Sequence, residues 1–185
     1  LFEAARGTLA EWTGRLRTFL AKFPGVLDEV DTMLTRNGIW LGRTQDVGFI
    51  SAADAISYGL SGPMLRASGV AHDLRKDRPY LDYETYDFEV PVGEHGDVYD
   101  RYLVRMEEMR QATRILGQAL DRLPDGPINV DDPHVILPAK HRAMSDMEAM
   151  IYHFKQIMEG VPAPVGEAYV GIENPKGELG YYFVS

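Results

Sequence analysis

Residues 97–123 read DVYDRYLVRMEEMRQATRILGQALDRL, and their periodicity decides the fold class. Val98, Tyr102, Met106, Met109, Thr113, Leu116, Leu120 and Leu123 recur every three or four positions, the spacing of one helix face. The stretch therefore predicts the longest helix of the chain, over about 97–123, with those residues as its inner face. Pro124, Gly126 and Pro127 end it.

Upstream, Leu9, Trp12, Leu16, Leu20, Phe23, Leu27, Val30 and Leu34 form a second apolar stripe, predicting helix over about 8–36. Pro24 lies inside it, so a kink or two helices end to end is expected there. Asn37-Gly38 supplies a stop. A short helix over 51–59 follows, with Ser51 as cap and Asp54 three residues on. Residues 59–69 hold three glycines and a proline and read as a loop. From 80 to 92 the chain is extended and aromatic, with Tyr86, Phe88 and Val90 alternating as in a strand.

Downstream, residues 124–143 are punctuated by proline and read as a surface wrap. Ser145 with Glu148 gives a capping-box pattern for a last helix over about 145–159, with Met147, Ile151, Phe154 and Met158 inward. Met147 and Met158 are placed in the core, with Met144 and Met150 off the stripe. A hairpin over about 167–184, turning at Asn174-Pro175-Lys176-Gly177, closes the chain. The architecture expected is α+β, predominantly α: an antiparallel helical bundle with peripheral strands and a C-terminal hairpin. Because the sequence opens on Leu1 and stops at Ser185 at the end of a strand, it reads as one piece, 1–185, of a longer domain.

Composition narrows the function classes. The net charge of −9 disfavours a phosphate-tracking surface, so nucleic acid is not an expected partner. With 0 cysteines, no disulfide framework and no thiolate-held zinc or iron–sulfur cluster can form within these residues. No apolar run approaches the roughly 20 residues of a membrane helix, so membrane association would come through a partner. Among His72, His95, His134, His141 and His153, no helical pair stands four apart as a zinc site requires. His72 beside Asp73 reads either as a proton-transfer dyad or as a loop salt bridge. The glycines of 62–69 lack the strand–loop–helix context of a dinucleotide fingerprint.

Several stretches in series carry a resemblance: 62–70 (GPMLRASGV), 73–76 (DLRK), Pro79-Tyr80, Tyr83-Glu84 and 88–93 (FEVPVG). They continue with 96–105 (GDVYDRYLVR), 107–110 (EEMR), 147–155 (MEAMIYHFK) and 175–182 (PKGELGYY). Together, over about 7–185, they resemble the D-subunit family of the proton-pumping NADH:quinone oxidoreductase, respiratory complex I. The resemblance implies the fold of a nickel–iron hydrogenase large subunit, with the metal site lost and a quinone chamber in its place. It implies partners: the subunit carrying the terminal iron–sulfur cluster, the membrane arm, and quinone itself. The parent complex uses NADH, FMN and iron–sulfur clusters, and none of these is expected on this chain. The implied location is the cytoplasmic face of the bacterial inner membrane, or the mitochondrial matrix side.

The family's quinone-headgroup Tyr and His belong to an N-terminal half not represented here, so no catalytic residue is carried over. The hydrogenase Cys-x-x-Cys pairs likewise lie outside these residues. The chamber- or partner-facing candidates are Arg66, Asp73 and Arg75 in the glycine-rich stretch, and Lys176, Gly177 and Glu178, in a segment resembling one that approaches the former metal site of hydrogenases. Buried ion pairing that fixes loop geometry is the alternative role for the charged ones. Rival readings are a membrane-bound hydrogenase large subunit, a ferredoxin-linked quinone reductase, or an assembly scaffold with no redox role. The chain alone is expected to be inactive and to expose an apolar face.

Overall fold

The computed structural model describes residues 2–127, 130 and 132–185, with side chains from residue 9 onward. The chain divides into two compact units, one of residues 1–123 with 170–181, the other of 124–169 with 182–185.

In the first unit, α1 (Phe2–Val30) packs against α6 (Val98–Asp121). The face predicted for α1 is the one turned inward from Leu16 to Leu34: Leu27 is buried, and Leu16, Leu20 and Phe23 are half-buried. Trp12 stays exposed at the end of that stripe. Pro24 does not divide the helix. It sits on the solvent side, and the irregularity falls about two turns later, where residues Asp31–Thr35 widen into a π-helical turn. Asn37 is a start as well as a stop: its side chain accepts the Ile39 and Trp40 amides and caps α2 (Gly38–Thr44). Ser51 caps α3 (Ala52–Ser57) in the same way.

The expected loop at 59–69 contains a buried helix, α4 (Gly62–Ala67), with Pro63 in its first turn; Gly62 opens the helix, and Gly59 and Gly69 flank it. α5 (Leu74–Asp77) is a single turn capped by Asp73. The strand expected at 86–90 is not paired with another strand. Its alternation is real, since Phe88 is buried while Asp87 and Glu89 face solvent. Its backbone partners are glutamine side chains of α6. Gln118 accepts the Asp87 amide at 2.9 Å and donates to the Asp87 carbonyl at 2.7 Å, and Gln111 accepts the Glu89 amide at 3.0 Å. Side-chain amides have replaced a neighbouring strand.

Those bonds also shift the inner face of α6. Of the predicted stripe only Met106 is fully buried, whereas Met109, Leu116 and Leu123 are exposed. The buried positions include Asp100, Val104, Gln111 and Ile115, because α6 meets α4 and the extended segment along a polar row.

In the second unit, α7 (Lys140–Ser145) packs against α8 (Met147–Met158). Asp146, not Ser145, caps α8, accepting the Glu148 amide at 3.0 Å, while the Ser145 hydroxyl donates back to the His141 carbonyl. The stripe expected inward on α8 faces solvent: Met147 is 74% exposed, Phe154 63% and Met158 67%. Ala149 is the buried contact of the helix. β1 (Glu167–Asn174) and β2 (Gly177–Val184) form the two-stranded hairpin, whose open end is closed by reciprocal Gly166–Ser185 backbone bonds.

Candidate functional site

Arg66, near the end of α4, is buried in the first unit, its side chain 1% exposed. A lone guanidinium there would be prohibitive, so its partners define the site. One terminal nitrogen donates to the Glu173 carboxylate and to the His72 carbonyl, each at 2.9 Å; the other lies 2.7 Å from Glu108. Asp73 lies 3.6 Å away and is fully buried.

Asp73 works twice. It caps α5 by accepting the Arg75 amide at 2.9 Å, and it pairs with the Arg75 guanidinium through Nε at 2.9 Å and a terminal nitrogen at 2.5 Å. Arg75 reaches on to Glu108 at 3.2 Å. Burial alone would raise the Asp73 carboxyl, but the Arg75 hydrogen bonds and charge hold it below its ordinary value of 3.8. Burial works against the Arg75 charge too, and Asp73 and then Glu108 overcome it, so Arg75 holds its proton more tightly than free arginine does.

Three carboxylates (Asp73, Glu108, Glu173) thus surround two guanidinium groups (Arg66, Arg75), drawn from α4, the α5 cap, α6 and β1. Glu173 also accepts the Leu74 amide at 3.3 Å, and its own amide donates to the Tyr80 hydroxyl at 3.1 Å. Arg75 and Lys76 stack on the Phe88 ring, 5.0 and 4.2 Å from its centroid.

Glu173 brings the second group of candidates into place. The hairpin turn lies on the start of α4, where Ser61 Oγ accepts the Glu178 amide at 2.8 Å. A Cβ on Gly62 would come within 2.7 Å of the Gly177 nitrogen, and one on Gly177 within 2.6 Å of Ser61 Oγ. Both glycines also have positive φ, so this backbone contact admits neither a side chain nor an ordinary L-residue conformation. Lys176 is exposed at the tip, and the Glu178 carboxylate lies over Gly171 of the opposite strand.

Arg66, Asp73 and Arg75 are therefore one cluster, and Lys176, Gly177 and Glu178 sit on the turn it anchors. Sequence reasoning did not single out Glu108 and Glu173, the acids that complete it. Glu108 stood inside the 107–110 motif, and Glu173 was a polar residue at a strand end two positions before Pro175. His72 pairs with Asp77, Nδ1 to Oδ2 at 2.5 Å, because Asp73 is committed to Arg75. That is the loop salt bridge, made with a different acid.

A cleft of about 630 Å³ opens elsewhere in this unit, at the start of α6. Asp97 caps α6 through the Asp100 amide, and Asp100 accepts the Glu94 and His95 amides at 2.8 and 2.5 Å. Burial would raise the Asp100 carboxyl, but these backbone donors outweigh it and keep it below 3.8. Among the described residues, no group of three or more His, Asp or Glu side chains is arranged to hold a metal ion.

Residues 5–185 match the model of the family described as respiratory-chain NADH dehydrogenase, 49 Kd subunit. A relative from Methylacidiphilum infernorum, named as the D subunit of an NADH-quinone oxidoreductase, is 57% identical over 174 residues, covering 94% of this chain and 42% of its own length. One of the same name from Citrifermentans bemidjiense is 52% identical over 181 residues, covering 98% of this chain and 46% of its own. The chain thus spans less than half the length of these curated relatives. A match across nearly every residue, at such identity, shows that this chain belongs to the respiratory-chain NADH dehydrogenase 49 Kd subunit family.

Proposed function

We propose that this chain forms part of the wall of the quinone-reduction chamber in a proton-translocating NADH:quinone oxidoreductase, beside the terminal iron–sulfur cluster. The observation that carries this reading is identity of 52–57% to the two relatives so named, over nearly the whole chain. On this reading the fold is that of a nickel–iron hydrogenase large subunit, and the Arg66–Glu173 cluster is a clamp that sets the hairpin turn. Lys176, Gly177 and Glu178 then face the chamber or the neighbouring cluster-bearing subunit.

Electrons would arrive from NADH through FMN and clusters held by other subunits, since a chain with 0 cysteines offers no thiolate ligand. Among the described residues no helix is long and apolar enough to cross a membrane. Attachment would come through the membrane arm, on the cytoplasmic side of a bacterial membrane or the matrix side of a mitochondrial one. The exposed apolar stripe of α8 supports a chain whose faces are completed by partners.

The test is photoaffinity labelling of the assembled enzyme with a quinone-site inhibitor, with the adduct mapped by peptide. Labelling within 175–180, competed by quinone, is the expected result. A labelled enzyme with no adduct on this chain, together with Lys176→Ala of unchanged quinone affinity and turnover, would remove the chamber role.

A further inference from the structure

We propose that the cleft between α2 and α6 docks a partner polypeptide segment in which a carboxylate stands beside a large apolar side chain. The cleft has a volume of about 390 Å³, and its floor is Trp40, Val98, Tyr102, Met106 and Met109. Its polar rim is Arg101 and Arg105. Arg101 is occupied with the Gly48 and Gly96 carbonyls, and Arg105 donates to the Arg101 carbonyl. Neither forms a salt bridge with any carboxylate among the described residues.

The wall supplied by α2 has the same character. From Arg36 to Gln45 the sequence holds two arginines and no acidic residue, in a chain of net charge −9. Arg36 and Arg43 also lack a salt bridge among the described residues. Elsewhere in the same unit Arg17, Arg66, Arg75, Arg110 and Arg114 pair with carboxylates, while Arg15, Arg78 and Arg122 form no salt bridge among the described residues. An apolar floor under uncompensated guanidinium groups is complementary to an acidic, apolar occupant.

The shape favours a polypeptide over a lipid surface. The α6 residues of the floor lie at 98, 102, 106 and 109, a row about 16 Å long at 1.5 Å per residue, with α2 along its side. Such a groove seats about three turns of helix or one extended anchor. The inference rests on the multisubunit assembly proposed above, and it adds a contact surface away from the Arg66 cluster.

The experiment places a photoreactive benzophenone amino acid at Met109 in the assembled enzyme, with cross-linked peptides sequenced. The expected adduct lies on a polypeptide segment with Asp or Glu within about four positions of a large apolar residue. Arg105→Glu should lower its yield at least about tenfold, and Arg105→Lys should leave most of it. If Arg105→Glu does not assemble, the same steering is read with Arg105 intact, as a yield that falls when ionic strength rises. An adduct to another segment of this same polypeptide, an adduct to lipid alone, no adduct in an intact enzyme, or a yield indifferent to both charge and salt overturns the inference. Failure of this chain to co-purify with NADH dehydrogenase activity overturns the assembly reading instead.

Discussion

Replacing Arg66 with methionine keeps a long apolar side chain in the cavity and removes one positive charge from the cluster. The formal count there goes from three carboxylates against two guanidinium groups to three against one. Glu173 loses its guanidinium partner, and Glu108 keeps only the 3.2 Å contact to Arg75. Removing one partner of a buried ion pair costs about 3–5 kcal/mol, because the remaining charge is left desolvated. At about 1.4 kcal/mol per tenfold, the opening equilibrium of the surrounding backbone should rise by roughly two to three and a half orders of magnitude. Hydrogen exchange in the intact complex reads this at three amides: Leu74, bonded to Glu173; Gly93, bonded to the Arg66 carbonyl; and Glu178, bonded to Ser61. Amides of α8, in the other unit, serve as the control. Adding Glu173→Gln to Arg66→Met should recover part of the loss, because the stranded charge is then neutralised. Acceleration below tenfold at all three amides would refute the claim that this cluster holds the hairpin turn.

Gly177→Ala should loosen the turn by about 1–3 kcal/mol, through both its positive φ and the clash with Ser61. Gly171→Ala should cost less, since its Cβ meets only the flexible Glu178 carboxylate; thermal inactivation of the complex compares the two. Gln118→Ala strips both the donor and the acceptor from Asp87 and should destabilise the extended segment by about 1–3 kcal/mol, read as faster exchange of the Asp87 amide. Asp73 and Asp100 have folded pKa values below the ordinary 3.8, so each contributes stability present in full above that value and lost as pH falls through the lower folded one. Protection of the Glu94 and His95 amides should therefore hold at neutral pH and collapse in acid, and Asp100→Asn should remove that acid-sensitive step.

Local rules read well where the causes are local. Ser51 caps α3 as its side-chain chemistry predicts, and the alternation of Tyr86, Phe88 and Val90 is present in the burial. What failed were inferences about the partners of the extended segment and of the α8 stripe, while the hairpin pairing was read correctly. The extended segment binds glutamines of α6 because Gln111 and Gln118 stand seven apart, two turns of the same face, a spacing no strand rule examines. The candidate cluster was half legible for the same reason. Asp73 and Arg75 are two residues apart and pair locally, while Glu173 joins Arg66 across 107 positions.

The α8 stripe carries that limit furthest. Its period is helical and its residues are apolar, so sequence logic assigns it to a core, and in this chain it faces solvent along its length. Periodicity identifies the face a helix will bury but is silent about which chain supplies the cover. For α1 the cover is α6, and Leu27 is buried. For α8 the described residues bury Ala149 and leave Met147, Ile151, Phe154 and Met158 out. Such a stripe is an apolar surface that the described residues leave uncovered. The methionines placed in the core were thus misassigned in their cover and not in their period: the helix stands where the sequence puts it, and beyond Ala149 the described residues supply nothing to bury that face.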